Sequence, residues 1–375
     1  MHYLDNSATT RVCPEAAEAA LHAMTECFGN PSSTYTLGRE AKKLLDKSRK
    51  QVSDALGCRP GELVFTSCGS ESDNWAILGG AEAMKRRGNH VISSLVEHDA
   101  VRKSLDELEA RGFEVTRLKP EKDGSVSPEA VRNALREDTV LVTLMLVNNE
   151  TGGVTDIGAV AKALRSAGSS ALLHTDAVQG FLKVPFSADK LGADLISISG
   201  HKVHAPKGVG ALYIRQGLHL KPFLVGGSQE DGRRAGTEAV PQIAAFGEAC
   251  RIGKAGMPEA IRRMAALKQQ LLERLSAEIP ELRHVEAAAP HILSISLPGW
   301  RSEVLMNFLE AREIYVSKSS ACKKGGRSHV LDAIGLDARA IDGALRIGLS
   351  RMTTEEDILA LCRGLADARK SLAHR

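Results

Sequence analysis

The chain has 375 residues, with 49 basic against 46 acidic side chains, 43% hydrophobic residues and 4% aromatic ones. A formal charge of +3, with few aromatic platforms and no long basic tract, argues against nucleic acid as a main partner. No apolar run reaches the ~20 residues of a membrane span, and the opening "MHYLDNSATT" lacks the basic-then-apolar order of a secretion signal, so the expected compartment is the cytoplasm, away from any membrane.

The first dozen residues are expected to pack against a larger body. From about residue 62, short apolar strands alternate with amphipathic helical stretches: "ELVFTS", "SESDNWAILGGAEAMKRRG", "HVISSLVEH", "DAVRKSLDELEARG", "FEVTRLKP", "SPEAVRNALRED", "TVLVTLMLVNNE". Ser127 followed by Pro128 is a helix cap with proline in the first turn. After "IGAVAKALRSAG" come "ALLHTDAVQG", "ADLISISGHK" and "GVGALYIR". The alternation predicts an α/β domain with a mostly parallel sheet, whose ligands sit beyond the carboxyl ends of the strands. Polar residues gather at those ends: Ser70, His98, Asn149, Asp176, Gln179 and Lys202. Around residue 250 the pattern changes to the helical "PEAIRRMAALKQQLLERLSAEI", then strands in "HILSISLPG" and "REIYVSKSSAC", then a helix opened by the capping box of "TTEEDI". The expected division is a large domain over 13–250 and a small α/β domain formed by 1–12 and 251–375.

The strand-end residues suit a pyridoxal phosphate site. That cofactor needs a lysine for a Schiff base, a carboxylate for its pyridine nitrogen and donors for its phosphate. Lys202 and Asp176 end apolar strands, and Gly69 with Ser70 lies in a strand-to-helix turn whose free N–H groups favour a phosphate. Each feature alone also has an ordinary structural explanation: a solvated lysine, a capping aspartate, a small polar turn. His98 fits a helix start equally well as a partner for a planar ring. Seven cysteines, at 13, 27, 58, 68, 250, 322 and 362, are scattered without a CxxC pair, which disfavours a disulfide frame and a structural zinc site.

Ten short motifs, "YLDNSATT", "GNPSS", "FTSCGSESDN", "VEHDAV", "VNNETG", "HTDAVQ", "SISGHKVHAPKGVG", "RRAGT", "SSAC" and "LRIGLS", stand in the order and approximate spacing of the cysteine desulfurases. The chain resembles that group of class V aminotransferases from Tyr3 to about Thr354. The resemblance implies the pyridoxal-phosphate-dependent transferase (aminotransferase) fold, a large mostly parallel-sheet domain with a smaller α/β domain. It implies that Lys202 holds the cofactor and moves the proton, Asp176 pairs with the pyridine nitrogen, Gln179 meets the ring hydroxyl and His98 stacks on the ring. Gly69, Ser70, Ser199 and His201 would hold the phosphate with Thr237, which reaches across from the partner subunit of a homodimer. Asn149 and Arg346 would hold the substrate carboxylate, a task that the planar arginine fork suits.

The implied reaction converts L-cysteine to L-alanine and leaves a persulfide on Cys322, whose sulfur passes to a scaffold or carrier protein, as in iron–sulfur cluster assembly. Lys318, Lys323, Lys324 and Arg327 surround Cys322, and positive charge favours a thiolate. Departures from the commonest pattern are Cys68-Gly69-Ser70 in the phosphate turn, Lys318 and Ser319 before the cysteine, and a longer spacing at 164–170. Selenocysteine lyase and a non-catalytic scaffold of the same fold are the alternatives.

Overall fold

The computed structural model describes residues 1–318 and 327–372. Thirteen strands are found among them: β1 (His2–Tyr3), β2 (Leu63–Thr66), β3 (His90–Ser94), β4 (Glu114–Leu118), β5 (Thr139–Met145), β6 (Leu172–Asp176), β7 (Leu195–Ser199), β8 (Gly210–Ile214), β9 (Arg283–His284), β10 (Ile292–Ser296), β11 (Ile314–Tyr315), β12 (Ser317–Lys318) and β13 (Ala344–Gly348). Seven form one sheet in the order β2-β8-β7-β6-β5-β3-β4. Pairing is parallel from β7 through β4, while β8 runs antiparallel to both β7 and β2. Two reversals cancel, so β2 points the same way as β7, and the carboxyl ends of β2, β3, β5, β6 and β7 share one edge. Every residue of β5, β6 and β7 is buried, as expected of strands covered by helices on both faces.

A second sheet, β12-β13-β10-β9, is antiparallel and lies over its own core of Leu293, Ile295, Leu345, Ile347, Leu361 and Leu365. The N-terminus joins this part: β1 pairs in parallel with β11, and Leu4 is fully buried in the same core. The helix Val240–Glu278 starts earlier than its sequence pattern suggests and carries Pro258 in its interior. Its first half buries Ile243, Ala245, Phe246 and Cys250 in the large core, and its second half buries Met264, Leu267, Leu271 and Leu275 in the small one. Burial at both ends outweighs the hydrogen bond that an interior proline removes. The stretch beginning at Gly69 is likewise one continuous helical run, through a π turn at Trp75–Gly79 to Met84. The capping box at the last helix forms as expected, with Thr354 and Asp357 exchanging side-chain and backbone hydrogen bonds. Among the described residues no helix is long and apolar enough to cross a membrane.

Candidate active site

The shared strand edge opens into a cavity of about 340 Å³ whose walls come from both cores. Of the residues singled out from the sequence, Gly69, Ser70, His98, Asn149, Asp176, Gln179, Ser199, His201, Lys202 and Arg346 line it. Thr237 does not: it is exposed on a loop outside its own chain's cavity. Cys322 lies outside the described residues.

Lys202 ends a 3-10 turn, Gly200–Lys202, that follows β7 directly. Its Nζ donates to the backbone carbonyls of Ser7 (2.8 Å) and Ala8 (2.6 Å), so the N-terminal segment holds the amine at the cavity. One strand over, Asp176 is 7% exposed and accepts from Val178 N–H (2.9 Å). Burial pushes its carboxyl above the usual range, with His98, the Val178 N–H and Lys202 pulling the other way. A buried acid in this state is relieved by a cationic N–H donor.

His98 caps the helix Asp99–Ala110, its Nδ1 accepting the Ala100 N–H (3.1 Å). The neutral ring therefore carries its proton on Nε2. Gln179 donates to Ser7 O (2.8 Å), and its Oε1 is approached by the buried Lys183 amine (3.5 Å), whose pKa burial, then Lys202 and Arg346, lower to about 7. On the opposite wall Arg346 comes from β13 and is 3% exposed. It donates to Asn149 O (3.0 Å), Asp5 Oδ1 (3.0 Å) and Ser317 Oγ (2.9 Å), while its Nε–H has no partner. The ion pair with Asp5 is the ordinary structural role, and the unused N–H leaves capacity for an anion.

The residues fit pyridoxal phosphate on structural grounds. Ser199 Oγ is buried without a partner. A Cβ at Gly69 would stand 2.8 Å from Val178 Cγ2, so only glycine lets this turn approach so closely. His201 Nδ1 shares a hydrogen bond with Thr9 Oγ1 (3.2 Å), and burial with Lys202, Lys183 and Lys207 nearby lowers its pKa to about 4, so the ring is neutral at physiological pH.

Three acids that the sequence reading passed over also face this cavity. Asp73 is buried at the cavity wall, its carboxyl pushed well above the usual range by burial and then by Asp176. His174 Nε2 lies 3.7 Å from Asp73 Oδ1, but burial drives that imidazole down to about 3; the pair is not an ion pair. Glu97 accepts from Ser94 Oγ (2.5 Å) and Met145 N–H (3.2 Å) at one oxygen, leaves the other unpartnered, and is raised to about 8, chiefly by burial. Glu150 is raised to about 7, again chiefly by burial. All three sit inside motifs named above, but none carries a sequence signal of burial: Glu150 follows two asparagines, and Asp73 lies between Ser72 and Asn74.

The model of the family described as aminotransferase class-V matches residues 2–361. A protein of Methanosarcina thermophila named "Cysteine desulfurase IscS" is 44% identical over 95% of this chain and 89% of its own. A solved structure titled "NIFS-LIKE PROTEIN" superposes with a TM-score of 0.93 at 36% identity, covering 99% of both chains. Another, titled "SspA in complex with cysteine", has a TM-score of 0.82 at 32% identity, covering 94% of this chain and 100% of that one. These enzymes depend on pyridoxal phosphate as a family. The cavity at the sheet edge and the matches along nearly the whole chain lead to one conclusion: the chain belongs to the class V aminotransferase family, among its cysteine desulfurases.

Proposed function

We propose that this protein is a pyridoxal-phosphate-dependent cysteine desulfurase that converts L-cysteine to L-alanine and delivers the sulfur, through Cys322, to an acceptor protein. The observation that carries the reading is the pairing of Lys202 and Asp176 at neighbouring strand ends with Arg346 from the second core on the facing wall of the same cavity. When bound, pyridoxal phosphate supplies an electron sink for bonds at the substrate's α carbon. Lys202 Nζ would hold the cofactor and move the α proton. Asp176 would accept the pyridine N–H, Gln179 would meet the ring hydroxyl and His98 would cover the ring face. Gly69, Ser70, Ser199 and His201 would take the phosphate. Arg346 and Asn149 would orient the substrate carboxylate.

The Cys322 thiolate then attacks the substrate's sulfur: an S–S bond forms as the C–S bond breaks, and its electron pair stays with the carbon that is protonated to give alanine. The balance is cysteine plus enzyme thiol to alanine plus enzyme persulfide, with no outside oxidant. Iron–sulfur cluster assembly is the proposed destination, through a scaffold or carrier protein. We also assign 13–250 as the cofactor-holding unit, 1–12 with 251–375 as the unit bearing Cys322, and the reducing cytoplasm as the compartment; six described cysteines are free thiols.

A homodimer with Thr237 completing the partner's phosphate site is part of the reading. Leu21 and Met24, three positions apart on the helix Pro14–Thr25, are exposed, as are Phe28 just beyond that helix, Tyr35 and Leu37. Val225, also exposed, follows Leu224, whose carbonyl accepts from Ala235 N–H in the segment leading to Thr237. The test is alanine and sulfide release from L-cysteine by the purified protein, with L-selenocysteine run in parallel. Equal alanine and sulfide support the assignment; a strong preference for selenocysteine moves it to the lyase, and no alanine overturns it. A catalytically competent monomer overturns the Thr237 role.

A further inference from the structure

Residues 319–326, outside the described residues, are joined to described chain at both ends. On the N-terminal side, β12 pairs with β13, Ser317 opposite Arg346, and Ser317 Oγ donates to Asp5 Oδ1 (2.7 Å). On the C-terminal side, the buried Ser328 hydroxyl makes two contacts. It accepts from Leu331 N–H (3.1 Å), capping the helix His329–Ala333, and donates to Glu150 Oε2. His329 adds a second tie to the large core: Nε2–H donates to Glu97 O (3.3 Å), and Nδ1 accepts from Arg102 Nη1 (3.4 Å).

The Glu150 side chain has no part in the chemistry above, yet it is an acid 5% exposed at the cavity wall. The backbone of its turn does not need it: Asn148 Oδ1 accepts from both Glu150 N–H (2.9 Å) and Thr151 N–H (3.0 Å), and Asn149 O is held by Arg346. What the carboxyl holds is Ser328.

We propose that Glu150 is a positioning residue for sulfur transfer: by accepting the Ser328 hydroxyl, it fixes where the chain returns to the cavity wall after the segment that contains Cys322. This rests on the desulfurase reading, which gives Cys322 its task. Cys322 lies five positions beyond Ser317 and six before Ser328 (322 − 317 and 328 − 322). Freeing Ser328 loosens a short covalent tether to the nucleophile and lowers the effective concentration of thiolate at the substrate's sulfur.

The test uses holoenzyme with Glu150→Ala, Glu150→Gln and Ser328→Gly, glycine being tolerated at a helix cap. Single-turnover persulfide formation on Cys322 is followed by alkylation and mass spectrometry, beside KM for L-cysteine and cofactor content. Glu150→Ala and Ser328→Gly slow persulfide formation about tenfold or more, with KM and cofactor content within about twofold. Glu150→Gln, whose amide oxygen still accepts the hydroxyl, recovers most of the rate. Wild-type rates in both Glu150→Ala and Ser328→Gly overturn the proposal, as does an equal loss in Glu150→Gln, which assigns the effect to charge. Wild-type protein that releases no alanine overturns the desulfurase reading and this inference together, a result distinct from any change in the ratio of variant to wild type.

Discussion

Glu97→Gln is expected to stabilise the cofactor-free protein at pH 8 and to change it little at pH 5. An unfolded glutamate ionises near 4.5, whereas burial holds the proton of Glu97 up to about 8. Between those values the native state binds more protons than the unfolded chain, so stability falls as pH rises through the window. Below it both states are protonated, and above it both are ionised, so the contribution is flat on either side. At ~1.36 kcal/mol per pH unit, the ionisable side chain costs about 1 kcal/mol at pH 5 and about 4 kcal/mol at pH 8. Glutamine escapes this cost and keeps the oxygen that accepts from Ser94 and Met145. The difference of about 3 kcal/mol, set against an unfolding entropy of about 2 cal/mol/K per residue, is about 4 °C in Tm for a chain of this length. Thermal melts of both proteins at pH 5 and pH 8 measure it. A Tm gap equal at the two pH values within about 1 °C would show that Glu97 ionises normally in the native state, and would refute the reasoning.

Lys202→Ala removes the amine held by Ser7 O and Ala8 O; the protein should lose its activity, and borohydride reduction should no longer fix cofactor to the chain, so continued fixation would point to another lysine. Cys322→Ala should retain cofactor yet release no sulfide from L-cysteine, and undiminished turnover would remove the persulfide step. Arg346→Lys replaces a planar fork by a point charge and should raise KM for L-cysteine by about tenfold or more, equivalent to ~1.4 kcal/mol or more of binding; an unchanged KM would confine Arg346 to its ion pair with Asp5.

Strand and helix alternation, the carboxyl-end placement of Ser70, His98, Asn149, Asp176 and Lys202, and the cap at Ser127 were legible because period and turn chemistry are local properties of the chain. So was Lys202 as a lysine out of place after an apolar strand. Other features depend on positions far apart in sequence. The helix Val240–Glu278 continues past Pro258 only because each half has a different core to bury against. Arg346 and Lys202 come to one cavity because β13 is held to the N-terminal segment, where Asp5 pairs with Arg346 while Ser7 and Ala8 hold Lys202.

The raised acids Asp73, Glu97 and Glu150 read as ordinary polar residues in their motifs, since desolvation is a property of the surroundings and has no sequence signature. The sequence by itself determined the α/β class, the chemistry available at each strand end and the candidate lysine. Tertiary structure alone decided which acids lose their water, which carbonyls hold the amine, and that Glu150 meets Ser328, because those outcomes depend on contacts between segments more than a hundred residues apart.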